Sequence, residues 1–247
     1  TNNTPSAATL NRFITLLSGT DILERTFRRM VCKARKLGLI DGTNVAIDAS
    51  KLTAYEHAVP KSRIPPDNPS FPNWGGKLDT NGNFIKWFGW KMHALVDTYS
   101  GIPISYIITP ANIADMDVAE DLIQKMMVDY ENGLTPKYYM MDAGYDKPDL
   151  YASVYRKFHG QAIIPINWRN TRIPPEGINM NGQLVCPMNY AYVYGGNDNG
   201  TIRILCPHVC GKCDCPMGSS WCTSSPGGYV GKARIKDNPR FITAPFR

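Results

Sequence analysis

The chain has 247 residues, 43% of them hydrophobic, which is enough to bury the core of one large domain or of one domain with a sizeable insertion. No apolar run approaches the ~20 residues that cross a bilayer, and no signal-peptide pattern is present, so we expect a cytosolic protein without a membrane partner. The net charge of +6 is uneven, with an acidic stretch at residues 41–155 between basic flanks. This pattern suits a nuclease, with carboxylates for metal ions and basic residues around them for phosphates, although ordinary scatter of surface charge also produces it.

The N-terminal segment, residues 1–40, predicts helices. Apolar residues recur at helical spacing over residues 9–38, in a pattern typical of two helices. Basic residues fall mostly on the opposite faces, and Arg28 and Arg29 are among them. These arginines either contact a DNA backbone or belong to a solvated face, and the sequence leaves both interpretations open.

Residues 41–166 predict an α/β core. Strands are expected at residues 43–50, 86–97, 102–109, 137–142 and 161–166, and helices are expected to begin at Asp115 and Pro148. We expect the first three strands to be antiparallel and the later ones, joined through helices, to be parallel. This order matches a ribonuclease-H-like mixed sheet flanked by helices. The Pro- and Gly-rich residues 52–85 predict a long irregular loop, either DNA-contacting or partly disordered.

The composition changes in residues 167–247, which predict an inserted, Cys-containing and mainly β region. Six of the seven cysteines lie there, and a C-x₂-C step suits a zinc knuckle. The candidate zinc ligands are Cys206, Cys210, Cys213 and Cys215. Buried free thiols are the main alternative, because an odd number of cysteines without a secretory signal argues against a disulfide framework.

Asp48 and Asp142 are the candidate catalytic and metal-binding residues. Each follows a short apolar run that predicts a buried strand. If these two strands are parallel neighbours, both carboxylates emerge at the same edge of the sheet, where α/β proteins hold their ligands. Mg²⁺ prefers oxygen ligands, and two ions about 4 Å apart can activate an attacking hydroxyl and stabilise a leaving oxygen. The alternative is that each aspartate is a turn or cap residue.

Lys91 and His93 share one face of the second predicted strand. Either could reach a DNA phosphate, so both are candidate DNA-binding residues. The alternative is a half-buried histidine bonded to the backbone and a surface lysine.

The core shares three motifs with one transposase family. Asp48 lies in AIDASKL, residues 89–123 read GWKMHALVDTYSGIPISYIITPANIADMDVAEDLI, and Asp142 lies in MMDAGYDKPDLY. Taken together, this ordered set resembles the IS4-type bacterial insertion-sequence transposases, the large DDE group. The resemblance covers roughly residues 43–166.

The resemblance implies a DNA transposase that cleaves transposon-end phosphodiesters and joins the end to target DNA. Asp48 and Asp142 would be the first two of its three acids, with Mg²⁺ or Mn²⁺ as cofactor. Lys91 and His93 match positions that recur near the site in that family. The protein is expected to bind DNA, to be a homodimer when intact, and to be cytoplasmic and nucleoid-associated.

The third acid of the family is a glutamate on a helix after the inserted β region. The only glutamate after residue 142 is Glu176, within the loop-like IPPEGINMNG, so we expect the catalytic C-terminal helix to be missing from this chain. Two other functions therefore stay open. One is a catalytically inactive, zinc-stabilised DNA-binding remnant, and the other is a metal-dependent nuclease of the same fold without strand transfer.

Overall fold

The computed structural model describes residues 4–242 apart from residues 66, 67, 69, 79, 80, 131, 132 and 169–172. The helices are α1 (Ala7–Ser18), α2 (Ile22–Lys36), α3 (Asp115–Asp129) and α4 (Pro148–Arg156). The strands of the main sheet are β1 (Asn44–Thr53), β2 (Asn73–Leu78), β3 (Phe84–Asp97), β4 (Pro103–Pro110), β5 (Tyr138–Met141) and β6 (Gln161–Ile163). In the described part of the chain, no helix is long and apolar enough to cross a membrane.

The main sheet is mixed, as the sequence predicts. Its strand order is β2-β3-β1-β5-β6, and β4 also pairs with β3. β3 runs antiparallel to β1 and β4, whereas β5 runs parallel to β1 and β6. The predicted antiparallel first half and parallel second half are therefore confirmed, and β1 lies in the middle beside the strand that precedes Asp142.

Two predictions about strands were wrong. Residues 52–85 are not all irregular, because β2 pairs with the first half of β3. The sequence did not predict this strand because Gly75 and Gly76, which have no side chains, interrupt the alternation of apolar and polar residues that marks a strand. A Cβ at Gly75 would lie 2.6 Å from the Trp87 ring, so the bare backbone is what allows the ring to pack. In addition, β1 does not end at residue 50 but continues to Thr53.

The core lies between the sheet and helices α3 and α4. Its fully buried side chains include Ile47, Leu95, Leu122, Met126 and Tyr139. Burial of this kind stabilises the fold by about 25 cal/mol for each Å² of apolar surface removed from water. The N-terminal helices contribute little to the core, since α1 has no buried residue and α2 has only Val31.

The last part of the chain holds a separate antiparallel sheet. Its strands are β7 (Val193–Asp198), β8 (Thr201–Leu205) and β9 (Val230–Arg234). Isolated bridges at Ile178–Leu184 and Val185–Ala191 precede it. These strands agree with the expectation of a mainly β region. The division of the chain at residues 40 and 166 and the assignment of this region as an insertion stay predictions.

Candidate active site

Asp48 and Asp142 occupy neighbouring positions at one edge of the sheet. The parallel β1–β5 pairing ends with Ile47 opposite Met141, so the two aspartates are the next residue on each strand. The backbone of Asp142 is still extended, with φ −76° and ψ 173°. Adjacent strands lie about 4.8 Å apart, so both side chains start from neighbouring points, where β5 ends beside the middle of β1.

The two carboxylates have oxygens available for a metal ion. Oδ1 of Asp48 accepts a hydrogen bond from the Ala49 N–H at 2.7 Å, and Oδ1 of Asp142 accepts one from the Gly144 N–H at 2.8 Å. Within the described residues, neither Oδ2 has a protein partner, and both aspartates are exposed. Exposed carboxylate oxygens at one edge are the hard donors that Mg²⁺ and Mn²⁺ prefer, so this pair fits such an ion.

A buried tyrosine identifies a third carboxylate near this edge. Burial raises the pKa of Tyr145, and the negative charges of Asp115, Asp48 and Asp142 raise it further. The hydroxyl of Tyr145 is buried and has no hydrogen-bond partner within the described residues. Asp115 is therefore part of the site's electrostatic surroundings, although its position at the first turn of α3 indicated only a helix start.

Lys91 and His93 lie beside Asp115, and neither is free. Lys91 Nζ donates to Asp115 Oδ1 at 2.8 Å and to the Ile113 carbonyl at 2.9 Å. His93 is 1% exposed, and its Nε2 is 2.9 Å from the Thr109 hydroxyl. Burial lowers the pKa of His93, an effect that nearby Asp115 opposes. A phosphate therefore has no access to His93 in this conformation, and Lys91 must leave Asp115 to reach one.

Asp146 forms a buried ion pair that the sequence did not predict. It is completely buried, and Arg240 donates to both of its oxygens, at 2.9 and 2.7 Å. The Tyr151 hydroxyl and the Asn167 N–H donate to it at 3.0 and 2.7 Å. Burial by itself would raise the pKa of Asp146, but these bonds, that of Arg240 first, bring it below the ordinary value.

The bonds to Asp146 attach the last part of the chain to the turn that follows Asp142. Asp146 does not cap the helix that follows it, because the N-cap residue of α4 is Lys147. No local signal identifies the pair, because Arg240 lies 94 residues away in sequence.

Arg28 and Arg29 belong to a basic face of α2. Five basic side chains line a shallow groove of about 500 Å³ there, namely Arg25, Arg28, Arg29, Lys33 and Lys36. Arg28 lies 3.5 Å from Asp129, whereas Arg29 has no ion-pair partner within the described residues. Lys125 on α3 binds Glu24 on α2, so α2 lies along the C-terminal half of α3. Asp115 and Asp129 are about 21 Å apart along that helix, so the basic face lies at the opposite end of α3 from Asp115.

The four cysteines predicted to bind zinc do not assemble. Cys206 is buried, Cys210 is exposed, and Cys213 and Cys215 are half-buried. Across the described residues, no three His, Cys, Asp or Glu side chains stand together as a metal site. Partial burial raises the pKa of Cys213, and the charges of Cys215, Cys186 and Cys206 add to this rise. Zinc binding by the predicted set therefore stays a prediction without geometric support.

The third acid is also not found in the described part of the chain. Glu176 is an exposed residue in a turn, as its loop-like surroundings predict. No described His, Cys, Asp or Glu completes a three-ligand group with Asp48 and Asp142.

A comparison with known protein families identifies one family. The family described as "Transposase DDE domain" matches residues 34–181, which is more than half of the chain. Among solved structures, a cryo-EM structure of a piggyBac transposase synaptic complex with hairpin DNA aligns with 66% of this chain at 11% sequence identity and a TM-score of 0.34. This chain spans 30% of the length of that protein. No curated protein matches the chain.

Proposed function

The chain belongs to the transposase DDE-domain family, and from this premise we propose that it cleaves phosphodiesters at transposon ends and joins the ends to target DNA, using Mg²⁺ or Mn²⁺. The observation that carries the proposal is the register of β1 and β5, which brings Asp48 and Asp142 to neighbouring positions. Asp48 and Asp142 would hold the metal. The assignment to the IS4-type group rests on the motifs around them.

The proposed chemistry divides between the metal and the chain. When bound, the ions would supply charge stabilisation for the attacking and leaving oxygens of phosphoryl transfer. Backbone N–H groups hold one oxygen of each carboxylate, so Asp48 and Asp142 would hold the ions in a fixed position. Water and DNA phosphate would complete the coordination, as is usual for Mg²⁺ bound by one or two carboxylates. Lys91 supplies a further positive charge. It is bound to Asp115 and becomes available when a phosphate competes for it.

Nicking of a supercoiled plasmid tests this function. We expect nicked or joined products with Mg²⁺ or Mn²⁺, none with EDTA, and none from the variant carrying Asp48→Asn and Asp142→Asn. Asp198→Asn, an exposed aspartate on β7, is the matched control and should behave as wild type. Nicking that persists in the double variant would contradict the proposal. A wild-type chain that binds DNA without cleaving it would favour the alternative, a catalytically inactive DNA-binding module. Cleavage without joined products would favour a nuclease of the same fold.

We propose that the basic face of α2, beside the C-terminal end of α3, contacts the DNA backbone. Replacing Arg29 and Lys33 by alanine should weaken duplex binding and lower the slope of log affinity against log salt by about 1.8, since each lost phosphate contact changes it by about 0.9. Lys157→Ala, which removes a surface pair with Glu120, should leave the slope unchanged. Fluorescence anisotropy over a salt series measures both, and an equal slope in all variants would contradict the contact.

The homodimer and the nucleoid location expected from the family resemblance also stay proposals. Sedimentation of the chain with and without transposon-end DNA tests the first. A mass of one protomer both with and without DNA would contradict it.

A further inference from the structure

The hairpin formed by β2 and the first half of β3 extends beyond the aspartate edge. On β3, Ala94 lies opposite Asp48, and Lys86 lies opposite Gly76 of β2. At about 3.4 Å per residue, the stretch from Ala94 to Lys86 places the hairpin about 27 Å beyond Asp48. The same continuous strand therefore connects the reacting edge to a second surface.

That surface is a groove of about 380 Å³ with aromatic and basic walls. Its lining is Lys61, Trp74, Gly75, Gly76, Phe84 and Lys86, with no carboxylate among these residues. Phe84 is 60% exposed, and a Cβ at Gly76 would lie 2.4 Å from its ring, so the ring packs on bare backbone. Lys86 Nζ lies 5.8 Å from the centre of that ring.

The groove has one rigid wall. The Trp74 indole N–H donates to the Val59 carbonyl at 2.8 Å, and its ring packs against Phe88 at 5.5 Å between centroids. The wall and the exposed ring therefore have fixed positions before any ligand arrives, which reduces the ordering that binding requires.

The chemistry of this groove suits a single strand of nucleic acid. An exposed aromatic ring stacks on an unpaired base irrespective of sequence, and lysines beside it neutralise phosphates. Base faces in a duplex are already covered by their neighbours, so Phe84 could not stack on them.

We infer that this groove binds single-stranded DNA adjoining the reacting phosphodiester, with a base stacked on Phe84 and phosphates held by Lys61 and Lys86. The inference rests on the proposed function for the identity of the DNA. It does not depend on the metal, because none of these residues belongs to the aspartate edge.

Binding of a fluorescein-labelled oligo(dT) to the full chain in EDTA tests the inference. Phe84→Ala should weaken binding about tenfold, within the range for loss of one base–aromatic stack. Phe84→Trp should bind as well as wild type. Tyr99→Ala is the matched control, because Tyr99 is 78% exposed in the turn at the other end of β3 and should not matter. Lys61→Ala with Lys86→Ala should lower the salt slope by about 1.4, or about 0.7 per phosphate.

Several outcomes would overturn the inference. The first is that the wild-type chain does not bind oligo(dT), and the second is that Phe84→Ala and Tyr99→Ala bind it with equal affinity. The third is that Phe84→Ala loses as much affinity for duplex DNA as for oligo(dT). A change in sedimentation of Phe84→Ala without DNA would instead assign the surface to a second copy of the chain. The assay contains EDTA, so its result does not depend on the metal. A loss of oligo(dT) binding in Phe84→Ala would therefore support the inference even if Asp48 and Asp142 bind no metal. A normal metal site with no effect of Phe84→Ala removes only this inference.

Discussion

Asp142→Asn is expected to weaken Mn²⁺ binding to the free chain by at least about 100-fold. Loss of a residue that only supports a metal ligand already lowers affinity about 10–100-fold, and a ligand itself matters more. The amide keeps the size of the side chain and an oxygen, but it removes the charge that balances the cation. Asp48→Asn should have an effect of the same size, since the two residues occupy equivalent positions on β1 and β5.

Calorimetric titration with Mn²⁺ measures this effect, with Asp198→Asn as the control for the loss of one exposed carboxylate. Thermal unfolding of each variant without metal shows that the fold is intact. If one aspartate matters and the other does not, the two do not share an ion. If neither matters, the ion binds elsewhere.

Arg240→Ala is expected to lower the free energy of unfolding by about 3–5 kcal/mol, the usual effect of removing one partner of a buried ion pair. Asp146 would be left completely buried without its two strongest hydrogen bonds. Arg234→Ala is the matched control, because its partner Asp237 lies on the surface and such pairs contribute about 1 kcal/mol or less. Urea unfolding at neutral pH measures both variants, and equal losses would contradict the role assigned to Arg240.

The same pair predicts the direction of a pH effect. The pKa of Asp146 is lower in the folded protein than its ordinary value, so the pair stabilises the fold fully at pH values above about 4. That contribution is lost as the pH falls through the folded pKa. The difference in stability between wild type and Arg240→Ala should therefore shrink in acid and stay constant between neutral pH and about pH 6.

The parts of this fold that the sequence predicted are those with a local signal. The apolar runs before Asp48 and Asp142 identify β1 and β5, and the glycine-containing turn before Ile102 identifies the hairpin of β3 and β4. β2 was missed because it contains two glycines. Rings from the neighbouring strand pack directly on the backbone of these glycines, which is possible because they have no side chains. Such packing depends on contacts between strands, so the spacing of apolar residues along the sequence does not predict it.

The site shows the same division. Asp48 and Asp142 could be paired from strand order, because the register of a parallel pair follows from short, well-marked strands. Asp115, Asp146 and the bonds of Lys91 could not, since each depends on a partner distant in sequence. The burial of His93 also reflects helix α3 packing over β3, which turns a predicted phosphate contact into an enclosed side chain.

Backbone cleavage by Fe²⁺ bound in place of Mg²⁺ tests most directly whether Asp48 and Asp142 share one metal. With ascorbate and peroxide, an iron at the proposed site should cut the chain near both residue 48 and residue 142, and Mg²⁺ should suppress both cuts together. Cuts near only one aspartate, or only among the cysteines after residue 180, would contradict the shared site and with it the proposed catalytic centre.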